Sequence, residues 1–240
     1  MFSEIQEKAL KLGSALTRLG FKKNDVLAII CPNVIEFPII YLSVLSLGGV
    51  VTTLSPLATV NEISHQLKAT NSKFLVTVPD LVVKAKEAAN LTGLMELLVV
   101  GEADGFLSIQ ELFEDDGSYY PNVIDISPRE DVAMLPFSSG TTGLPKGVML
   151  THFNLSANIQ QGCNMPGYYE AFLDEKVLAV LPFFHIFGFN LNLAASLYGG
   201  ATVVTLPKFE PKLFLETIQN YKVSNLFCFS CYAIHTNKTK

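Results

Sequence analysis

Short runs of β-branched and other apolar residues, each closed by glycine, proline or a polar turn, alternate along most of this chain with segments of helical spacing. That alternation narrows the choice of fold to an α/β domain built on a largely parallel sheet. Val26 to Ile30 (ended by Pro32), Val50 to Leu54, Lys73 to Val78, Met95 to Val100 and Val132 to Phe137 read as buried strands. Glu4 to Leu19 reads as an amphipathic helix closed by Gly20, and a second helix spans about Asp80 to Asn90. Asn33 with Glu36, and Thr59 with Glu62, have capping-box spacing, so each predicts a helix start. Pro38 falls early in the helix predicted after Asn33, which Gly48-Gly49 end. From Glu111 to Arg129 the composition turns acidic and Gly- and Pro-containing, which predicts a surface linker near residues 113–130.

The 240 residues are 49% apolar and 16% charged, enough for a sizeable core and incompatible with disorder. A net charge of −5 with no basic block excludes a nucleic-acid partner. Four cysteines without regular spacing make no disulfide framework and point to a reducing compartment. The mean hydropathy of +0.35 raises the question of a membrane, and the charge-free stretch from Val177 to Pro207 has the length to span one. Pro182, His185, Gly188, Asn190, Asn192 and Gly199-Gly200 interrupt it, so it reads as strand, loop, helix and turn, with no transmembrane segment. The start, with Glu4 and Glu7, lacks the basic flank and apolar core of a signal peptide, so no secretory signal is expected in it.

The most unusual stretch is Ser138 to Gly147, S-S-G-T-T-G-L-P-K-G, between the strand Val132 to Phe137 and the apolar run Val148 to Leu150. Glycines let backbone N–H groups approach a bound group, hydroxyls add rotatable donors, and Lys146 adds a mobile positive charge. Together they form an inventory for holding phosphate oxygens. It is not a Walker loop, since Pro145 and Gly147 stand where that motif needs glycine and a hydroxyl. It is neither a G-x-G-x-x-G turn nor a G-x-S-x-G elbow.

The run from Phe137 to Gly147 resembles the signature of the adenylate-forming acyl-CoA synthetases, the superfamily of 4-coumarate–CoA ligases and beetle luciferases. Leu47-Gly48-Gly49-Val50, Ser55-Pro56 and Leu181-Pro182-Phe183-Phe184-His185-Ile186-Phe187-Gly188 extend the resemblance, which runs to about Phe227. It implies an α/β fold: the N-terminal part of the family's large domain over residues 1–227, with mostly parallel sheets flanked by helices and without the C-terminal domain. It also implies an acid–thiol ligase, in which a carboxylic acid attacks the α-phosphorus of MgATP and coenzyme A then displaces AMP. The implied cofactors are ATP, Mg2+ and coenzyme A. By position, Ser138, Ser139, Gly140, Thr141, Thr142, Gly143 and Lys146 would bind the ATP phosphates. His185 and Phe187 would line the acyl pocket, and Lys208 in P-K-F-E would approach coenzyme A. Phe184, His185 and Phe187 suggest an apolar or aromatic acid.

Family segments that contact adenine and ribose, Y-G-x-T-E and T-G-D, have no match in this chain, nor does the small C-terminal domain with its catalytic lysine. About three charge-assisted bonds at roughly 1.5–3 kcal/mol each, set against an association cost of about 4 kcal/mol or more, predict ATP binding no tighter than about millimolar. Residues 228–240 depart from the family as a tail. There, Cys228, Cys231 and His235 have half the spacing of a zinc site with no second pair, so no metal site is expected. Competing readings are a catalytically inactive truncated isoform and a phosphate-transfer enzyme, the latter disfavoured because no carboxylate cluster lies near the loop. The expected location is cytoplasmic, with a peroxisomal alternative for a form carrying a targeting C-terminus.

Overall fold

The computed structural model describes residues 2–94, 96–138, 145–164 and 172–227. The chain folds as two units, the first comprising residues 1–31 and 36–154 and the second residues 32–35 and 155–240.

In the first unit, helix α1 (Phe2–Arg18) buries Ala9, Leu12, Ala15 and Leu16 and carries the pairs Glu4–Lys8 and Glu7–Lys11 on its outer face. These i,i+4 pairs and the apolar stripe are what make this sequence helical. Gly20, at φ +92°, turns the chain toward strand β1 (Val26–Ile29), whose four residues are all buried. A strand covered on both faces tolerates no polar alternation, hence the unbroken V-L-A-I.

Helix α2 (Phe37–Ser46) follows, and its start differs from the expected capping box. Glu36 is the N-cap and no side chain caps the helix. Pro38 lies in the first turn, where an N–H has no intrahelical partner to lose, so it does not disturb the helix. Strand β2 (Val50–Thr53) is entered through Gly49, where any Cβ would lie 2.4 Å from the Phe21 ring. Helix α3 (Val60–Thr70) has the expected box: Thr59 Oγ1 accepts from Glu62 N–H at 3.3 Å, and the Glu62 carboxylate accepts from Thr59 N–H at 2.7 Å. Strand β3 (Ser72–Thr77), helix α4 (Val82–Asn90), strands β4 (Glu96–Val99) and β5 (Leu107–Ser108) and the short helix α5 (Ile109–Leu112) complete this half.

The predicted strand over residues 132–137 is two strands, β6 (Val132–Met134) and β7 (Phe137–Ser138), because Pro136 cannot continue the ladder. β7 pairs antiparallel with β8 (Lys146–Gly147), and β9 (Leu150–Thr151) closes the main sheet. That sheet has the order β5-β4-β3-β1-β2-β6-β9, with every neighbour parallel except β6 and β9. Ala28, Ile30, Leu54, Ile63, Leu67 and Leu75 pack with Ala85 and Ala88 between α3, α4 and the sheet.

The acidic connection belongs to this unit and is tied to it. Arg18 reaches Asp115 at 3.0 Å and Asp116 at 3.1 Å, the Ser14 hydroxyl accepts from Tyr119 N–H at 3.0 Å, and Lys23 meets Asp131 at 2.8 Å.

In the second unit, strand β10 (Lys176–Ala179) lies between the parallel strands β11 (Thr202–Thr205) and β12 (Asn225–Leu226). Helix α6 (His152–Cys163) carries the boundary between the units. The charge-free stretch resolves into β10, helix α7 (Ile186–Gly188), a π-helical turn Phe189–Ala195, helix α8 (Ser196–Tyr198), the Gly199-Gly200 turn and β11. Among the described residues, no helix is long and apolar enough to cross a membrane. Helix α9 (Pro211–Tyr221) packs Phe214 against Leu178, Val180, Val204 and Leu206.

Two predictions follow from these contacts. Thr59→Ala removes the hydroxyl that accepts from Glu62 N–H, leaves the Thr59 N–H bond to the Glu62 carboxylate in place, and lowers stability by about 1 kcal/mol in urea unfolding. The Asp131 carboxyl is held below the usual carboxylate range, first by the Lys23 ammonium and then by the Ser127 N–H. A depressed folded-state value contributes stability above the unfolded value and loses it as the pH falls through the folded one. Asp131→Asn is therefore less stable than the parent at pH 7, and the gap narrows as the pH is taken below about 4.

Candidate functional site

The chain leaves the first sheet at Met134 under tight control. Leu135 N–H donates to Val51 O at 2.8 Å, and Leu135 O accepts from the buried Thr52 hydroxyl at 2.8 Å. That hydroxyl accepts in turn from Gln66 Nε2 at 2.9 Å, which also donates to Thr53 O at 3.0 Å. Beyond this anchor the β7–β8 hairpin sets Ser138 opposite Lys146, with the Ser138 hydroxyl 3.5 Å from Lys146 O. Both residues are exposed. A Cβ at Gly147 would sit 3.3 Å from the Phe137 ring, a close contact to which the ring would have to yield. Five predicted phosphate ligands, Ser139, Gly140, Thr141, Thr142 and Gly143, lie outside the described residues. The structure thus pairs the two ends of the predicted loop, Ser138 and Lys146, past the C-terminal end of a parallel strand. In open α/β sheets that end is where ligands bind.

In the second unit, the segment that leaves β10 carries His185 and Phe187. Ladder pairing stops at Ala179, and buried amides replace it. Asn33 Nδ2 donates to Ala179 O at 2.9 Å and Leu181 O at 3.0 Å, while its Oδ1 accepts from Phe183 N–H at 2.8 Å. Asn192, fully buried in the π-helical turn, has its Oδ1 oriented to accept from Val180 N–H at 3.2 Å and Leu181 N–H at 3.1 Å. The Asn33 that spacing offered as a helix cap is in fact this clamp. Nothing local in the sequence could show it, because the partners lie about 150 positions away.

His185 stands exposed at the N-cap of α7, where its Nδ1 accepts from Phe187 N–H at 3.3 Å. That bond leaves Nε2 as the protonated nitrogen of the neutral ring. Phe187 is 41% exposed. Gly188 is obligatory, since a Cβ would fall 2.3 Å from Pro182 O. Beside Phe187 lies a cavity of about 510 Å³, lined also by Asn158, Ile159, Asn190, Leu191 and Ala195. Sequence reading missed these five; the signal available was a run of polar asparagines inside an otherwise apolar stretch.

Lys208 lies exposed on the turn between β11 and α9. Cys228, Cys231 and His235 lie outside the described residues. Among the described residues no group of three His, Cys, Asp or Glu side chains could hold a metal ion.

The family model for AMP-binding enzymes matches residues 2–231, so the chain belongs to the AMP-binding, adenylate-forming enzyme family. It is 35% identical over 242 residues to a probable 4-coumarate–CoA ligase 1 of Dictyostelium discoideum, covering 93% of this chain and 43% of that protein. It is 37% identical over 231 residues to a 4-coumarate–CoA ligase of Vanilla planifolia, covering 93% and 41%. A crystal structure of a long-chain-fatty-acid–CoA ligase from Archaeoglobus fulgidus superposes with a TM-score of 0.81 at 28% identity, covering 94% of this chain and 44% of that one. The chain therefore spans about two fifths of the length of the curated relatives it matches. Its mixed α/β architecture, with mostly parallel strands flanked by helices, is that of the large N-terminal domain of such enzymes.

The clamp yields a prediction. Asn33→Ala leaves two carbonyls and one N–H without partners in a buried setting, and lowers the stability of the second unit by about 3 kcal/mol. Hydrogen exchange at Phe183 N–H rises with it. A loss well under 1 kcal/mol, with Phe183 still protected, would show that water replaces the amide.

Proposed function

We propose that this chain supplies the triphosphate-holding and acid-binding parts of an acid–thiol ligase of the 4-coumarate–CoA or fatty-acid–CoA ligase type. In the first half-reaction a carboxylate oxygen of the acid attacks the α-phosphorus of ATP. The α–β anhydride bond breaks, and pyrophosphate leaves with the electron pair. In the second, the coenzyme A thiol loses its proton and attacks the acyl carbonyl, and AMP departs to leave the thioester.

The observation that carries this reading is the β7–β8 hairpin. It sets Ser138 and Lys146 at paired positions, both exposed, at the two ends of a glycine- and hydroxyl-rich loop. Charge accumulates on the departing pyrophosphate, and donors already aimed at it lower the barrier without reorganising at the moment of reaction. Lys146, with Ser138 and the hydroxyls and N–H groups of residues 139–143, is assigned to the β- and γ-phosphates. The Gln66–Thr52–Leu135 chain fixes where the loop leaves the sheet. Mg2+ enters with the nucleotide. The described side chains offer it no cluster of ligands, and no step here is assigned to it. His185 and Phe187 are assigned to the acid, and Lys208 to the approach of coenzyme A.

Titration of the chain with MgATP, followed by NMR, tests the nucleotide half. We expect a dissociation constant of about millimolar, weakened by about tenfold or more in Lys146→Ala, because one charged hydrogen bond contributes roughly 1.5–3 kcal/mol. ATP–pyrophosphate exchange with a panel of carboxylic acids tests the chemistry. Exchange that requires an acid and falls in Lys146→Ala supports the ligase reading. Binding unaffected by Lys146→Ala, or label transfer from the γ-phosphate to an acceptor, overturns it.

A further inference from the structure

We propose that a second cavity, at the outer edge of the main sheet in the first unit, binds a free α-amino acid with an apolar side chain. The end of α4, the start of β4 and the turn into β5 enclose it. Its volume, about 380 Å³, falls within the range of roughly 300–1,000 Å³ usual for small-molecule sites. The cavity opens where the edge strand is short. β5 pairs only with Leu98 and Val99, so among the described residues no strand covers the outer edge of β4 at Glu96 and Leu97. Leu94, Leu97 and Phe106 form an apolar floor, and all three also pack on the core between α3 and α4. A hydrocarbon or aryl group seated on them gains the burial of its surface.

Two opposite charges adjoin this floor. Glu96, half-buried, is the one charged residue among the described residues of the lining. Lys86 lies one helical turn before Asn90, on the same face of α4, and its Nζ is 3.4 Å from the place that a Cβ on the lining residue Gly105 would take. Among the described residues neither Glu96 nor Lys86 is held in an ion pair. An ammonium placed here meets the Glu96 carboxylate, and Asn90, the last residue of α4, brings the negative end of the helix to the same cavity. A carboxylate meets the Lys86 ammonium over Gly105. A free α-amino acid carries both charges on one carbon and leaves its side chain to lie on the floor. A simple amine or a simple acid leaves one of the two protein charges without a partner.

The cavity is separate from the candidate nucleotide surface. β4 and β6 are four strand positions apart in the sheet, about 19 Å at the usual strand spacing. The cavity lies at the start of β4, whereas the Ser138–Lys146 hairpin follows the end of β6. An amino acid held there takes no part in the reaction proposed above, and the assignment does not rest on the ligase reading.

The test uses the 240-residue chain without nucleotide. L-phenylalanine, 2-phenylethylamine, 3-phenylpropanoate and N-acetyl-L-phenylalaninamide are titrated in turn, with the methyl groups of Leu94 and Leu97 observed by NMR. We expect L-phenylalanine to shift those methyls saturably, with a dissociation constant of about millimolar. Each of the other three lacks at least one charge and binds at least about threefold more weakly, the scale of a partly exposed ion pair. Glu96→Gln removes the advantage of L-phenylalanine over 3-phenylpropanoate, and Lys86→Ala removes its advantage over 2-phenylethylamine. Shifts that do not saturate, shifts confined to other methyls, or an amino acid that binds no better than the amine and the acid would each overturn the proposal. Equal binding of the uncharged amide also overturns it, and assigns the cavity to a side chain of another polypeptide. Should either variant fail to fold, the ranking of the four ligands on the parent decides.

Discussion

A backbone that leaves a parallel strand gives up its ladder hydrogen bonds, and a buried N–H or C=O without a partner costs about 1–3 kcal/mol. Both segments that bear the candidate functional side chains in this protein leave a sheet in that way. After β10 the replacements are the amides of Asn33 and Asn192, which between them meet five backbone groups from Ala179 to Phe183. After β6 they are the Thr52 hydroxyl, itself held by Gln66, and the carbonyl of Val51. Remove those side chains and the chain would have to stay in the sheet or let water in.

The consequence for function is a division between what is fixed and what is presented. Asn33, Thr52 and Asn192 are buried, whereas Ser138, Lys146, His185 and Lys208 are exposed. The fixed groups touch only protein, so they act by holding backbone. The exposed groups carry the hydroxyl, the ammonium and the imidazole that a substrate would meet. Gly188 belongs with the fixed set: it lets α7 sit against Pro182 O, where a Cβ would collide at 2.3 Å.

Much of the fold is legible in the sequence because its causes are local. The unbroken V-L-A-I of β1 reports a strand covered on both faces, and Thr59 with Glu62 reports a helix start whose two bonds span three residues. Pro136 splits the predicted 132–137 strand for a reason visible in its own chemistry, and Pro38 is harmless once its place in the first turn is known. Asn33 misled because its capping spacing with Glu36 was real while its partners were not local. No periodicity registers a contact with Phe183. The candidate site divides the same way. Ser138 and Lys146 are found by composition, since glycines, hydroxyls and a lysine rarely gather so densely. Asn158, Leu191 and Ala195 become neighbours only when α6 and the π-helical turn meet.

Activating an acid with ATP sets two opposite solvation problems. The triphosphate carries several negative charges whose water must be replaced by donors, and the acid carries a body whose water is best expelled. On the proposed reading the first would fall to Ser138 and Lys146 on an exposed hairpin, at the ends of a sequence rich in glycines and hydroxyls. The second would fall to the surface around Phe187, where a cavity is lined by no charged residue. Exchanging the two linings would fail on both counts: a lysine in the cavity would hold its own water against the acid, and leucine at position 146 would leave phosphate oxygens unpaired. On that reading each surface is matched to what its ligand must shed of water, and the fold's task is to keep both in shape before either ligand arrives.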